Sequence, residues 1–256
     1  MKIFNKKIVN ILKFIKNILF PPRCVFCDHI MEPNAEARVC GNCSSEIEFC
    51  AEHTCCTKCG KPIISFGEKQ KCYFCLENKT QYFNRVASVF VYDKIVRESI
   101  LRYKFSAIQG YAETYAECMA ACYSSEFSEL GIDFMCAVPS HSNKIVEYGF
   151  DQVEIICRKL EKIIEVEFKR NVLKKVRKTR RQSRLGFRER SGNLLGSIAV
   201  DRAEDVKGKT ILLIDDICTT RATITECSRV LKQAGAKRVF ALTLATTMKN
   251  NLNMQI

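Results

Sequence analysis

The stretch Ile211-Leu212-Leu213-Ile214-Asp215-Asp216-Ile217-Cys218-Thr219-Thr220-Arg221-Ala222-Thr223 decides the fold. Its four leading apolar residues form a continuous run, as expected of a strand buried on both faces of a parallel sheet. The strand is expected to end in two carboxylates, followed by a short hydroxyl-rich loop. A helix is predicted over Thr223–Ala234, with Thr223 as its cap, Glu226 at the capping-box position and Gly235 as its stop. Val239–Ala245 reads as the next strand. Upstream, Arg85–Tyr92 and Phe134–Val138 read as strands, the second ended by Pro139. Ile95–Tyr103, Tyr111–Tyr123 and Gln152–Glu165 read as helices. Strands alternating with helices predict an α/β fold with an open, mostly parallel sheet. Ligands of such sheets bind beyond the carboxyl ends of the strands. There, Asp215 and Asp216 can grip ribose hydroxyls, directly or through magnesium. Thr219, Thr220, Arg221, Ala222 and Thr223 can hold a phosphate through hydroxyls, amides and the helix N-terminus. Gly208-Lys209-Thr210 only imitates the end of a P-loop, because position 203 is Ala and the strand follows the motif.

The second informative feature lies far upstream. Cys24, Cys27, Cys40 and Cys43 are repeated as Cys56, Cys59, Cys72 and Cys75, each 32 positions later. Both sets read C-x2-C-x12-C-x2-C, which indicates a tandem duplication. A C-x2-C pair places two thiolates on one turn, and two such turns make a tetrahedral four-sulfur site. Two zinc ions are expected, with an iron–sulfur cluster as the alternative for the same ligands. Cys50 and Cys55 fall outside the repeat, and spacing alone leaves open whether Cys55 displaces Cys56. Ten of the 16 cysteines cluster between Cys24 and Cys75 and the others are scattered singly, which points to a reducing, cytoplasmic compartment rather than a disulfide framework.

Three segments are expected: an amphipathic N-terminal helix over 1–20, the zinc module over 21–82 and the α/β domain over 83–256. Phe4, Ile8, Ile11, Ile15 and Ile18 share one helical face, and lysines interrupt any apolar run. That pattern excludes a membrane span and leaves packing on the protein or peripheral membrane contact. The net charge of +13 favours acidic partners. Most of it comes from residues 169–190, where eleven Lys/Arg face one acid, Glu189. Arg177, Arg180, Arg181, Arg184, Arg188 and Arg190 are the candidate nucleic-acid contacts in that run. Phe168 and Phe187 are its few aromatics, so base reading by this segment alone is not expected.

Together these features resemble the ComF/GntX family of competence and DNA-utilisation proteins. The resemblance runs from Leu19 to Thr246. It includes Leu19-Phe20-Pro21-Pro22-Arg23-Cys24, both cysteine sets, Leu101-x-x-Lys104-Phe105 and Val138-Pro139-x-His141. It continues through Gly149-Phe150-Asp151-Gln152, Arg177-x-Thr179-x-x-Gln182-x-x-Leu185, Arg190-x-x-Asn193 and the Asp-Asp strand. The family pattern has Asn at position 151 and Gly at position 221; this chain has Asp and Arg. Glycine there permits unusual dihedrals and close approach of a phosphate, whereas arginine either crowds the phosphate or contacts it. The resemblance implies a double zinc ribbon before a type I phosphoribosyltransferase-like domain. It implies a site for phosphoribosyl pyrophosphate with magnesium, and handling of incoming single-stranded DNA in the cytoplasm during natural transformation. An active phosphoribosyltransferase and a ribbon adaptor for DNA-uptake proteins are the alternative expectations.

Overall fold

The computed structural model describes residues 21–33, 35, 38–63, 71–77, 81–105, 110–139, 151–177 and 194–248. The N-terminal helix expected over 1–20 lies outside these residues, as do Arg180, Arg181, Arg184, Arg188 and Arg190.

Four strands form one parallel sheet: β1 (Arg85–Val91), β2 (Phe134–Ala137), β5 (Thr210–Cys218) and β6 (Arg238–Thr246), in the order β1-β6-β5-β2. A separate antiparallel hairpin joins β3 (Leu173–Lys175) and β4 (Ile198–Val200). The helices are α1 (Gly41–Glu46), α2 (Tyr73–Glu77), α3 (Lys94–Phe105), α4 (Gly110–Glu126), α5 (Gln152–Ile164) and α6 (Ala222–Gln233). Two central strands explain the apolar runs: Ile211–Ile214 and Ala241–Leu242 are fully buried. The sheet strand carrying the two acids is longer than the apolar run suggests. Asp215, Ile217 and Cys218 continue to pair with Thr243, Ala245 and Thr246, because the nine-residue β6 runs on beside them.

Alternation along the strands separates two cores. On one face, Ala87, Met135, Leu212, Ile214 and Leu242 pack with α4 and α5. On the other, Val86, Phe134, Ile211, Leu213 and Ala241 pack with α6. The cysteine module joins both. Cys24, Val25, Phe26 and Cys43 belong to the first core, and Cys56 and Cys59 to the second. Phe26 meets Phe90 edge-on at 5.4 Å, and Ser99 Oγ donates to the Val25 carbonyl at 2.6 Å.

The two repeats therefore straddle β1, which is an edge strand. Its outer backbone is paired: Val86 N–H donates to Lys58 O at 3.0 Å and Val91 N–H to Glu48 O at 2.9 Å. Phe49 and Phe90 form an antiparallel bridge between them. An uncovered edge would invite pairing with other chains, and here it is covered from within.

That pairing needs close approach at Gly60, which has φ +64. A Cβ there would run into the Val86 carbonyl and lie 3.0 Å from the Ala87 Cα. Gly131 has nearly the same φ, +62, with nothing within 4 Å of an added Cβ. Gly60→Ala should therefore cost distinctly more stability than Gly131→Ala, whose left-handed backbone alone costs about 1–2 kcal/mol. Urea unfolding midpoints of the two variants check this; equal losses would contradict the proposed close approach.

Candidate metal and sugar-phosphate sites

The duplication read from the cysteines extends to the backbone. In the first repeat, Cys24 N–H donates to His29 O and Asp28 N–H to Cys24 O. In the second, Cys56 N–H donates to Lys61 O and Gly60 N–H to Cys56 O. The bridge Arg23–Ile30 recurs as Cys55–Pro62, and the left-handed residue Asp28 recurs as Gly60. Each pair is offset by the spacing of the cysteine sets. Cys55 is thus the counterpart of Arg23, and Cys56 the counterpart of the ligand candidate Cys24. Cys55 Sγ donates to the Cys50 carbonyl at 3.2 Å, outside either sulfur set.

The sulfurs of Cys24, Cys27, Cys40 and Cys43 lie within 4.8 Å of one another, as do those of Cys56, Cys59, Cys72 and Cys75. Cys27 and Cys40 are 3.6 Å apart, and Cys59 and Cys72 are 3.7 Å apart. A tetrahedron with Zn–S bonds of about 2.3 Å has edges of about 3.8 Å, so the donor sets fit zinc. Cys40 N–H also points at Cys24 Sγ, 3.4 Å away, a donor that would support a thiolate. All-cysteine sites have no open position, so the ions would hold structure rather than activate water.

Around the carboxyl-terminal part of β5, three sequence motifs converge. Lys104 Nζ forms an ion pair with Asp216 Oδ2. Gln152 Nε2 donates to the Lys104 carbonyl at 3.0 Å, and Tyr103 OH donates to the Gln152 carbonyl at 2.8 Å. Asp151 caps α5, accepting from Val153 N–H at 2.9 Å and Glu154 N–H at 3.3 Å. Asp and Asn cap equally well, which accounts for Asp151 at the family's Asn position. Burial opposes the charge on Lys104, but Asp216 outweighs it and raises the ammonium pKa. Burial, reinforced by the adjacent Asp216, pushes Asp215 well above the usual carboxylate range. Asp215 Oδ1 accepts the Asp216 amide at 2.8 Å. Lys104 is a member of this cluster that the strand-and-loop reading did not single out; the quoted Lys104-Phe105 motif was its only signal.

The loop beyond β5 corrects the capping expectation. The N-cap of α6 is Arg221, at φ 62 and ψ 0, and makes no side-chain cap; Thr223 lies inside the helix. Glu226 is buried and turns to the β3–β4 side, accepting from Gly196 N–H at 2.7 Å and from the Arg229 guanidinium. Gly235, at φ +90, follows the helix end as expected. Arg221 also makes contacts that neither expectation named. Its guanidinium donates to Cys59 Sγ at 3.2 Å and lies 4.1 Å over the Phe74 ring, inside the second ribbon.

Of the basic run, Lys169 covers Phe134, Arg170 pairs with Glu154 and Lys174 pairs with Asp201. Arg177 donates to the Leu195 carbonyl at 3.0 Å. The segment 178–193 connects the hairpin strands β3 and β4. A cavity of about 700 Å³ opens between Phe49–Gly60 and α4, with Cys50, Cys55, Cys118 and Cys122 among its walls. None of its lining residues comes from the segment 215–223. Among the described residues, no helix is long and apolar enough to cross a membrane.

Cys56→Ser should leave three sulfurs in the second set and lower bound zinc from about two ions per chain to about one. Metal analysis of the purified variant checks this, and an unchanged zinc content would contradict the ligand set.

Comparison with known proteins agrees with this architecture. Residues 15–76 match a double zinc ribbon domain and residues 151–253 a phosphoribosyl transferase domain. The chain is 24% identical to competence protein F of Haemophilus influenzae over 85% of this chain and 93% of that protein. It is 24% identical to the DNA utilization protein YhgH of Escherichia coli over 82% and 91% of the two chains. With competence protein ComFC of Streptococcus pneumoniae the identity is 25% over 87% and 99%. A superposition on a hypoxanthine phosphoribosyltransferase of Staphylococcus aureus is loose, with TM-score 0.36 and 12% identity over 52% of this chain and 64% of the other. Both domains are matched in order and these relatives are covered nearly end to end, so the chain is similar over most of its length to competence protein F, competence protein ComFC and the DNA utilization protein YhgH.

Proposed function

We propose that the carboxyl edge of β5 binds phosphoribosyl pyrophosphate or a related sugar phosphate, and that the protein uses this domain in handling incoming single-stranded DNA. The observation that carries the first half is one of placement. Asp215 and Asp216 stand near the carboxyl end of a central parallel strand, two residues before Thr219–Thr223 and the start of α6. In this reading Asp215 and Asp216 take the ribose hydroxyls, directly or through magnesium. The Thr219, Thr220 and Thr223 hydroxyls and the amides around Ala222 take phosphate. Lys104 balances one of the two acids and so keeps the pair from repelling a ligand that is itself anionic.

The DNA half rests on the names of the relatives and on the basic segment. Competence and DNA utilization are the roles those names carry. The densest part of the basic run, including Arg180, Arg181, Arg184, Arg188 and Arg190, lies between β3 and β4. The adaptor alternative has less support, because both ribbons already bury apolar residues against the sheet. We place the protein in the cytoplasm on its cysteine usage.

Two experiments test these halves separately. Because Asp215 has a raised pKa, its charged form is disfavoured in the fold, and that penalty grows as pH rises above the unfolded carboxylate value near about 4. Asp215→Asn should stabilise the protein by about 1 kcal/mol near neutral pH, with the gain fading as pH falls through about 4, where the unfolded carboxyl takes up its proton as well. The same variant should lose at least about tenfold in affinity for phosphoribosyl pyrophosphate with magnesium, about 1.4 kcal/mol. Calorimetry showing equal binding by parent and variant would remove Asp215 from the site.

For DNA, replacing Arg180, Arg181 and Arg184 together with Ala should flatten the salt dependence of single-strand binding. Each lost phosphate contact removes about 0.7 from the log–log slope, or about 2 for the three. Filter binding at rising salt measures it; an unchanged slope would take these arginines off the DNA.

A further inference from the structure

One side chain joins the loop beyond β5 to the second sulfur set. Arg221 is only 7% exposed. Its Nη1 donates to Cys59 Sγ at 3.2 Å, and its guanidinium stacks on Phe74 with Cζ 4.1 Å from the ring centroid. Phe74 stands on α2 between Cys72 and Cys75. Arg221 therefore touches the ligand candidate Cys59 from one Cys-x-x-Cys turn, and Phe74 on the turn that carries Cys72 and Cys75.

The chemistry favours a metal-bound sulfur as the acceptor. A guanidinium stays charged, and burying it without a negative partner is costly. A neutral thiol is a weak acceptor, whereas four thiolates around one divalent ion leave net negative charge spread over the sulfurs. The first repeat has a different setting. Cys27, the counterpart of Cys59, is exposed; at this turn Arg23 pairs with Asp28 and Arg102 donates to the Phe26 carbonyl. The two metal sites are thus unequal, and the difference comes from the sheet domain.

The backbone completes the link. Arg221 sits at φ 62, a conformation that costs a non-glycine residue about 1–2 kcal/mol. A side chain anchored in the ribbon offsets that cost and fixes the loop at its turning point.

We propose that Arg221 is the outer-shell hydrogen-bond donor of the second zinc site, and that through it zinc bound there holds the Thr219–Thr223 loop in place. This inference needs zinc at the second site and does not depend on what the loop binds. Partners of this kind orient metal ligands and typically change metal affinity by about 10- to 100-fold.

The test uses the full-length zinc-loaded protein, with zinc release followed by a chromogenic chelator. The parent should release its two zinc ions at different rates. In Arg221→Gly, which relieves the backbone, one of the two should leave at least about tenfold faster, while the other keeps its parental rate. Arg221→Lys, which keeps the charge but loses the planar stack, should fall between. Near-ultraviolet circular dichroism confirms that each variant is folded. Parental rates for both ions in Arg221→Gly would overturn the proposal.

The loop is read by trypsin, for which Arg221 is itself a target. Cutting after Arg221 should be slow in the parent and in Cys27→Ser, and about tenfold faster in Cys72→Ser, with cuts in the 178–190 segment as the internal standard. Equal cutting after Arg221 in the two cysteine variants would overturn the link between zinc and loop. Neither arm involves a sugar phosphate, so a failure of phosphoribosyl pyrophosphate to bind would count against the proposed function and leave this inference standing or falling on zinc alone.

Discussion

An open parallel sheet has an edge whose backbone must be covered, and here the covering is done by a module too small to hold its own shape. The amides of Val86 and Val91 on β1 find their acceptors in Lys58 and Glu48, which belong to the cysteine repeats. A stretch of some fifty residues with so few apolar side chains of its own does not fold on burial alone. Four sulfurs gathered at tetrahedral spacing supply the missing constraint, and the energy of binding a metal becomes energy of folding. The covering of the sheet edge and the aromatic contact of Phe26 with Phe90 follow from those sulfur clusters being formed.

On the central strand β5 the constraint is electrostatic. Two adjacent carboxylates in a largely buried strand repel each other and lose hydration. The fold answers with Lys104 for Asp216 and with a raised proton affinity for Asp215. Such a pair is poorly suited to stability and well suited to a ligand bearing hydroxyls or a divalent ion. A site that costs stability in the free protein is expected where binding returns it.

Much of this was legible in the sequence, and the reasons are physical. The repeat was readable because metal geometry fixes cysteine spacing, and the backbone obeys the same offset at Asp28 and Gly60 and at the bridges Arg23–Ile30 and Cys55–Pro62. The buried strands were readable because Ile211–Ile214 has no reason to be continuously apolar elsewhere. The hairpin of β3 and β4 was not, since Leu173–Lys175 and Ile198–Val200 are three residues each and only partly buried. Thr223 and Glu226 had the spacing of a capping box, yet Glu226 is claimed by the distant Gly196 amide and by Arg229 one turn along the same helix. Lys104 stood in a motif without a stated role, because an ion pair between α3 and β5 leaves no local spacing to read.

Position 221 shows how a local rule and a tertiary contact can be satisfied together. The resemblance expects glycine there because the backbone must turn left-handed, and the backbone does so with φ 62. Arginine meets the same demand at a cost of about 1–2 kcal/mol. What sequence could not supply is the neighbour: Cys59 lies far away along the chain, and only the docking of the second ribbon on β1 brings its sulfur to the guanidinium. The residue that departs from the family pattern is therefore not a defect in an otherwise conforming loop. It is the point at which the covered edge of the sheet and its acidic end, the two constraints described above, become one connected structure.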